Sequence, residues 1–159
     1  MDTAEDEKFM RLAIALAESN ITSLAGGPFG AVIVKDGQII AQSGNQVLKL
    51  KDPTAHAEIS AIRQACENLG SFDLTGCTIY TSCEPCPMCL GAIYWAHIDK
   101  VYYGNTRTDA AAAGFDDEHI YKELEKPIPG RVLRMSQLLR EETIRAFTLW
   151  GKTDEKRNC

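Results

Sequence analysis

The sequence predicts an α/β protein, a three-layer α/β/α sandwich on a five-stranded mixed sheet. Three observations carry this. Two β-branched runs, 29–35 and 38–43, flank Asp36-Gly37, a dipeptide that closes tight antiparallel hairpins. Beyond them, apolar runs of strand length alternate with segments of helical period, the pattern of βα units covered by helices on both faces of a sheet. The 159 residues suit a single domain, 1–159, and neither a repeat nor a linker divides them.

The elements follow in order. Residues 5–23 set Phe9, Leu12, Ala13, Leu16, Ala17 and Ile21 at helical spacing, so the chain opens on an amphipathic helix. Gly26-Gly27-Pro28 ends it, and the hairpin comes next. Asp52-Pro53-Thr54 reads as a helix start and Gly70 as the matching C-terminal cap. A strand at 78–82, a helix at 86–96 and a strand at 100–103 complete the regular part. Short helical turns through 106–125, a strand near 131–135 and a closing helix near 137–150 follow.

Composition excludes several classes. With 45% hydrophobic and 25% charged residues the chain is globular, not disordered or fibrous. Its net charge of −5 argues against a nucleic-acid partner, whose affinity rests on Lys and Arg meeting phosphates. No apolar run reaches the length of a membrane span. The opening Met1-Asp2-Thr3-Ala4-Glu5-Asp6-Glu7 is acidic where a secretory signal is basic, so a cytoplasmic location is expected. Of the six cysteines, Cys83, Cys86 and Cys89 fall within seven residues, which in a reducing compartment reads as a metal-binding or redox cluster. Cys66 and Cys77 lie in apolar patterns and read as small core residues.

Two segments carry the chemistry: Pro53-Thr54-Ala55-His56-Ala57-Glu58, and Thr81-Ser82-Cys83-Glu84-Pro85-Cys86-Pro87-Met88-Cys89. Each lies where a helix is expected to begin. Cys86 and Cys89 are three apart and share a helix face. Pro87 suits a first-turn position, which puts Cys86 at the helix cap, where the dipole and free amides favour a thiolate. His56 and Glu58 diverge by about 200° in a regular helix, so they can converge only if His56 precedes the first regular turn. One His and two Cys leave a fourth tetrahedral position open, the arrangement of a catalytic zinc. Glu58 is then placed to take a proton from a water at that position and pass it to a substrate ring nitrogen and a departing amine. His-x-Glu followed by Pro-Cys-x-x-Cys is the established zinc deaminase signature. Cys83 and Cys86 form an overlapping pair, and spacing alone leaves open which two thiols bind metal. The backbone N–H of Ala57, in the first helical turn, is a candidate donor to a substrate carbonyl.

With these residues in view, the sequence resembles the cytidine-deaminase-like superfamily and, within it, the bacterial guanine deaminases. Residues 26–37, 52–58 and 80–96 carry the resemblance. Thr108-Asp109-Ala110-Ala111 followed by Gly114-Phe115-Asp116-Asp117 narrows it most. The resemblance implies a five-stranded mixed sheet between helices and one zinc ion per subunit, held by His56, Cys86 and Cys89. It makes Glu58 the proton shuttle and Asp117 a second active-site carboxylate. Asn45 would read the purine ring, with Phe29 and Trp95 at the base pocket. Guanine suits this set, because its ring N–H and exocyclic amine form a donor edge complementary to a carboxylate. The implied reaction is hydrolysis of guanine to xanthine and ammonia. The implied assembly is a homodimer in which the C-terminal segment, about 137–159, crosses to the partner. Phe147 and Trp150 match the approach to that segment, while Cys159 stands where the resembling enzymes carry an aromatic.

Other readings compete. Guanosine, cytosine and tRNA adenosine deaminases share the zinc motifs, although a tRNA enzyme calls for a basic surface, and here only Lys156-Arg157 stand together near the tail. A non-catalytic zinc module would have four protein ligands and no use for Glu58, and a redox protein would have no use for His56. Apart from the resemblance, Asn45 reads sooner as a turn residue, Asp116 or Asp117 as a helix cap, and Phe29 and Trp95 as core.

Overall fold

The structure, a computed structural model, describes residues 3–153. The expectations placed on Cys159 and Lys156-Arg157 therefore lie outside the described residues. Helix α1, Ala4–Ser23, begins at Thr3, whose side chain accepts from the Asp6 N–H while the Asp6 carboxylate accepts from the Thr3 N–H. This reciprocal pair satisfies two amides at the helix start. The stripe that α1 buries is Phe9, Ala13, Ala17 and Asn20, whereas Ile21 is exposed. A polar residue thus closes an apolar face.

Strands β1, Gly30–Lys35, and β2, Gln38–Gly44, form the expected hairpin. Asp36 and Gly37 both have positive φ, the geometry that matches the twist of the flanking strands. A single turn, α2 (Val47–Leu50), precedes α3 (Ala57–Leu69), which stops at Gly70 in the left-handed conformation. Then come β3 (Cys77–Cys83), α4 (Pro87–Trp95), β4 (Lys100–Asn105) and α5 (Arg107–Ala112). Helix α3 starts later than Asp52-Pro53-Thr54 suggests. Asp52 instead closes a turn, accepting from the Thr54 N–H at 2.8 Å and the Thr54 hydroxyl at 2.7 Å. Aspartate at a turn and aspartate at a helix cap use the same bond, so the motif alone does not separate them.

The sheet runs β2-β1-β3-β4, with β1 antiparallel to both neighbours and β3 parallel to β4. Side chains alternate between its two faces. Ala31, Ile33 and Ile79 point into a core with Ala57, Ala61 and Ala65 of α3 and Ile93 of α4. Val32, Val34 and Tyr80 point the other way, onto Phe9 and Ala13 of α1. That alternation makes three layers. Cys77 is fully buried and Cys66 packs partly buried on the same core, as small apolar residues do.

The expected fifth strand is not formed among the described residues. A strand exists only where a neighbour takes its ladder of hydrogen bonds, and 131–135 spends its donors locally. The Val132 N–H goes to Glu123 Oε2 at 2.7 Å, and the Arg131 N–H to the Ile128 carbonyl at 3.2 Å. This segment belongs to a second compact unit beginning at Glu118, which holds α6 (Glu118–Glu125), a 3₁₀ turn at Ile128–Gly130 and α7 (Arg140–Gly151). The first unit, Met1–Asp117, contains the whole sheet.

Gly30 lets α1 lie close on β1. A Cβ there would stand 2.2 Å from the Ala13 carbonyl oxygen and 2.9 Å from the Ala17 nitrogen, both helix backbone atoms that cannot rotate aside. Gly30→Ala is expected to destabilise the fold by about 1–3 kcal/mol, the usual effect of overpacking, measured as a lower urea midpoint with an unchanged slope.

Candidate active site

Two helix starts build the centre of the site. His56 is the N-cap of α3 and Cys86 the N-cap of α4, both with extended backbone, so each side chain projects beyond the end of its helix. Pro87 opens α4, where its missing N–H is no loss. Cys89 follows one turn later and is fully buried. His56 Nδ1 lies 3.5 Å from both sulfurs, and all three donor atoms fall within 4.8 Å of one another. A tetrahedral zinc with ordinary Zn–S and Zn–N bonds sets S···N separations of about 3.6 Å. The donor set therefore fits zinc by geometry as well as by chemistry. Cys83 stands outside it: its thiol donates to the Thr106 carbonyl at 3.8 Å. Tertiary position thus decides between the overlapping cysteine pairs.

Electrostatics divides the cysteines in the same way. A hydrogen bond from Cys89, aided by one from His56, draws the Cys86 thiol down to about 4, so it stands as a thiolate. Burial, reinforced by the charge of Glu58, pushes Cys83 up to about 11. Cys83 is a protonated wall residue at neutral pH.

Glu58, in the first turn of α3, is buried against the metal donors. Its Oε2 is 3.5 Å from the Cys89 sulfur, and its Oε1 is 3.1 Å from the Thr81 hydroxyl. Burial raises its carboxyl above the ordinary carboxylate range. The Thr81 oxygen is also 3.0 Å from the Cys83 carbonyl. A hydroxyl has one proton to give and can accept as well. Thr81 can therefore donate to ionised Glu58, or accept from protonated Glu58 while donating to Cys83. Both protonation states of Glu58 keep a partner, as a proton carrier requires.

These groups open onto a cavity of about 560 Å³ lined by Phe29, Asn45, His56, Glu58, Cys86 and Asp117, with Gly26, Gly27, Val47, Leu48, Cys83, Glu84, Ala110, Phe115 and Asp116. Asn45 is 7% exposed; its Oδ1 accepts from the Val47 N–H at 3.0 Å, and its backbone N–H donates to the Phe29 carbonyl at 3.1 Å. With the oxygen so committed, the Asn45 amide presents donors to the cavity. Asp117 is pushed up by partial burial, with the charges of Cys86 and Asp116 acting in the same direction. Ala57 is fully buried at the first position of α3, between the lining residues His56 and Glu58.

Trp95 is not brought into this cavity. It ends α4, is 72% exposed and lies nine residues beyond Cys86, about 13 Å along a helix whose other end holds the metal donors. The aromatic wall is made by Phe115 instead, edge-on to Phe29 with centroids 4.9 Å apart. Reasoning from sequence singled out the Gly-Phe-Asp-Asp run but assigned no role to its phenylalanine. Glu84 was missed as well; its Oε2 accepts from the Arg107 N–H at 2.9 Å and ties the cysteine loop to the start of α5.

Residues 3–105 match the family described as the cytidine and deoxycytidylate deaminase zinc-binding region. The chain is 52% identical to the guanine deaminase of Bacillus subtilis over 151 residues, 95% of this chain and 97% of the relative. The X-ray structure of guanine deaminase from Bacillus subtilis superposes with a TM-score of 0.94 at 50% identity, covering 99% of both chains. A tRNA-specific adenosine deaminase of Agrobacterium fabrum is 50% identical over 105 residues, 64% of this chain and 66% of the relative. The donor trio beside a buried glutamate and the likeness along nearly the full length agree: the chain belongs to the bacterial guanine deaminase family of the zinc-dependent cytidine-deaminase-like superfamily.

Proposed function

We propose that this chain hydrolyses guanine to xanthine and ammonia, using one zinc ion held by His56, Cys86 and Cys89. One observation carries the reading: the metal donors, the buried Glu58 and the polar residues Asn45 and Asp117 converge on a single cavity. The similarity to a guanine deaminase over 95% of the chain supports the choice of base. When bound, zinc acts as a Lewis acid that makes a water nucleophilic near neutral pH.

The chain's own residues bind the base and move the protons. Phe29 and Phe115 form the apolar wall on which a planar purine rests. Asp117 accepts from the ring N–H and exocyclic amine of guanine, the Asn45 amide donates to a ring nitrogen, and the Ala57 N–H is the donor for the carbonyl oxygen. The water oxygen becomes bonded to C2, and the bond from C2 to the amine breaks. Glu58 carries the protons, first to the ring nitrogen and then to the departing amine, with Asp117 beside that amine as a second carrier. The remote binding contacts hold C2 in place during these transfers.

The active form in this reading is a cytoplasmic homodimer, with the C-terminal segment of one copy serving the other. The second unit exposes Val132, Leu133, Leu138 and Phe147, each more than 70% accessible, large apolar side chains that a partner copy would cover. No described helix is long and apolar enough to cross a membrane.

Ammonia release by the purified, zinc-loaded protein is expected with guanine and not with guanosine, cytosine or adenine; turnover on another base would leave the proton chemistry and move the error to the cavity wall. Glu58→Gln is expected to keep zinc and fold while kcat falls by about 10²- to 10⁴-fold, and near-normal turnover would overturn the shuttle. Asp117→Asn is expected to depress guanine turnover without loss of metal, checked by zinc content alongside kinetics. Light scattering of the full chain is expected to give the mass of two copies.

A further inference from the structure

Asn20 lies on none of the functional motifs. It is a polar residue, 7% exposed, at the end of the α1 stripe otherwise made of Phe9, Ala13 and Ala17. Burial of an amide there costs free energy unless its donors and acceptor are all met. They are met, and the partners are informative. The two Nδ2 hydrogens go to two backbone carbonyls, Gly27 at 2.7 Å and Asn45 at 2.9 Å, and Oδ1 accepts from the Ser23 hydroxyl at 3.1 Å. Gly27 and Asn45 are both cavity-wall residues from separate segments. One side chain on a helix outside the cavity therefore ties two of its walls together.

We propose that Asn20 is a positioning residue for the base-binding wall, fixing where the Asn45 side chain stands to meet a bound purine. This rests on the reading of the cavity as a purine site. Asn45 is held at its N–H by the Phe29 carbonyl, at its Oδ1 by the Val47 N–H and at its carbonyl by Asn20. Only the last of these reaches back to the helical layer. The space around the strut is tight: a Cβ on Gly44 would lie 2.7 Å from Asn20 Oδ1, and one on Gly26 would lie 2.0 Å from Asn45 Oδ1. An amide is required because two carbonyls need two donors from one atom. Aspartate has the same shape and supplies none, facing both carbonyls with an oxygen.

The test is Asn20→Asp in the full, zinc-loaded chain, with guanine kinetics, zinc content and thermal stability measured together. Losing two buried hydrogen bonds to a binding wall corresponds to about tenfold in affinity. KM for guanine is expected to rise about tenfold or more, with kcat within about threefold of the parent and zinc retained. A folded, zinc-loaded variant with KM within about twofold of the parent, or with kcat lowered and KM unchanged, overturns the proposal. In an Asn45→Ala background the same substitution is expected to change KM by less than about threefold, whereas an equal factor in both backgrounds would show a purely structural role and overturn it. Should Asn20→Asp fail to fold, Asn20→Ser keeps one hydroxyl donor, and a rise in KM of about threefold or more supports the proposal while an unchanged KM overturns it. If the parent itself does not turn over guanine, the functional reading fails on its own. Hydrogen exchange then decides: faster exchange confined to 25–29 and 45–48 in Asn20→Asp supports the strut, and exchange raised evenly across the core overturns it.

Discussion

Two helices begin at the same point, and most of what the molecule can do depends on that. The first amides of a helix have no partner within it, and their dipoles add to a partial positive charge. Setting His56 and Cys86 as caps directs one imidazole and one thiolate into the space where the starts of α3 and α4 meet. Cys89 lies on the same face of α4 as its cap, so the third donor needs no further element. The field of the helix ends favours an anionic sulfur, and an ion with two positive charges completes the balance. The short His-x-Glu spacing becomes workable for the same reason: the histidine stands outside the first regular turn and the glutamate inside it.

The side of the cavity proposed to meet the base is built by different means. Its residues come from loops, which need to be held by the layers beneath them. Asn45 sits between the end of β2 and a single helical turn, and it is fixed through its backbone as well as its side chain. Phe115 and Asp117 follow α5, whose first amide is held by Glu84 from the cysteine loop. The cysteine loop and the 106–117 loop are thus joined by this bond as well as by the β3–β4 pairing, which runs to Cys83 and Asn105. Donors on helix ends, with the other cavity residues on tethered loops, are an arrangement by which one fold can keep its chemistry while the loops vary.

The second unit makes a different physical point. Residues 131–135 have the alternation of a strand, yet they give their hydrogen bonds to neighbours along the chain and leave Val132 and Leu133 exposed. Alternation states which side chains would share a face; it does not supply the partner strand. The four-stranded sheet of the first unit closes its three layers without this segment.

The sequence by itself determined the parts governed by local rules. The Asp36-Gly37 hairpin, the helix stop at Gly70, the proline at the start of α4 and the helical stripe of α1 are all short-range consequences of backbone sterics and periodicity, and each stands in the structure, except that Asn20 ends the buried stripe of α1 while Ile21 is exposed. The identity of the chemistry was also legible, because His56, Glu58, Cys86 and Cys89 fall within two short motifs whose spacing works only at helix ends. Tertiary structure alone decided the rest. Cys83 is excluded from the donor trio by where its thiol points, and Trp95 from the cavity by the length of the helix that carries it away. Phe115 and Glu84 enter through loop packing, and Asn20 through bonds to residues 7 and 25 positions distant. Contacts between residues so far apart in the chain leave no spacing pattern to read, since their geometry exists only once the layers have packed.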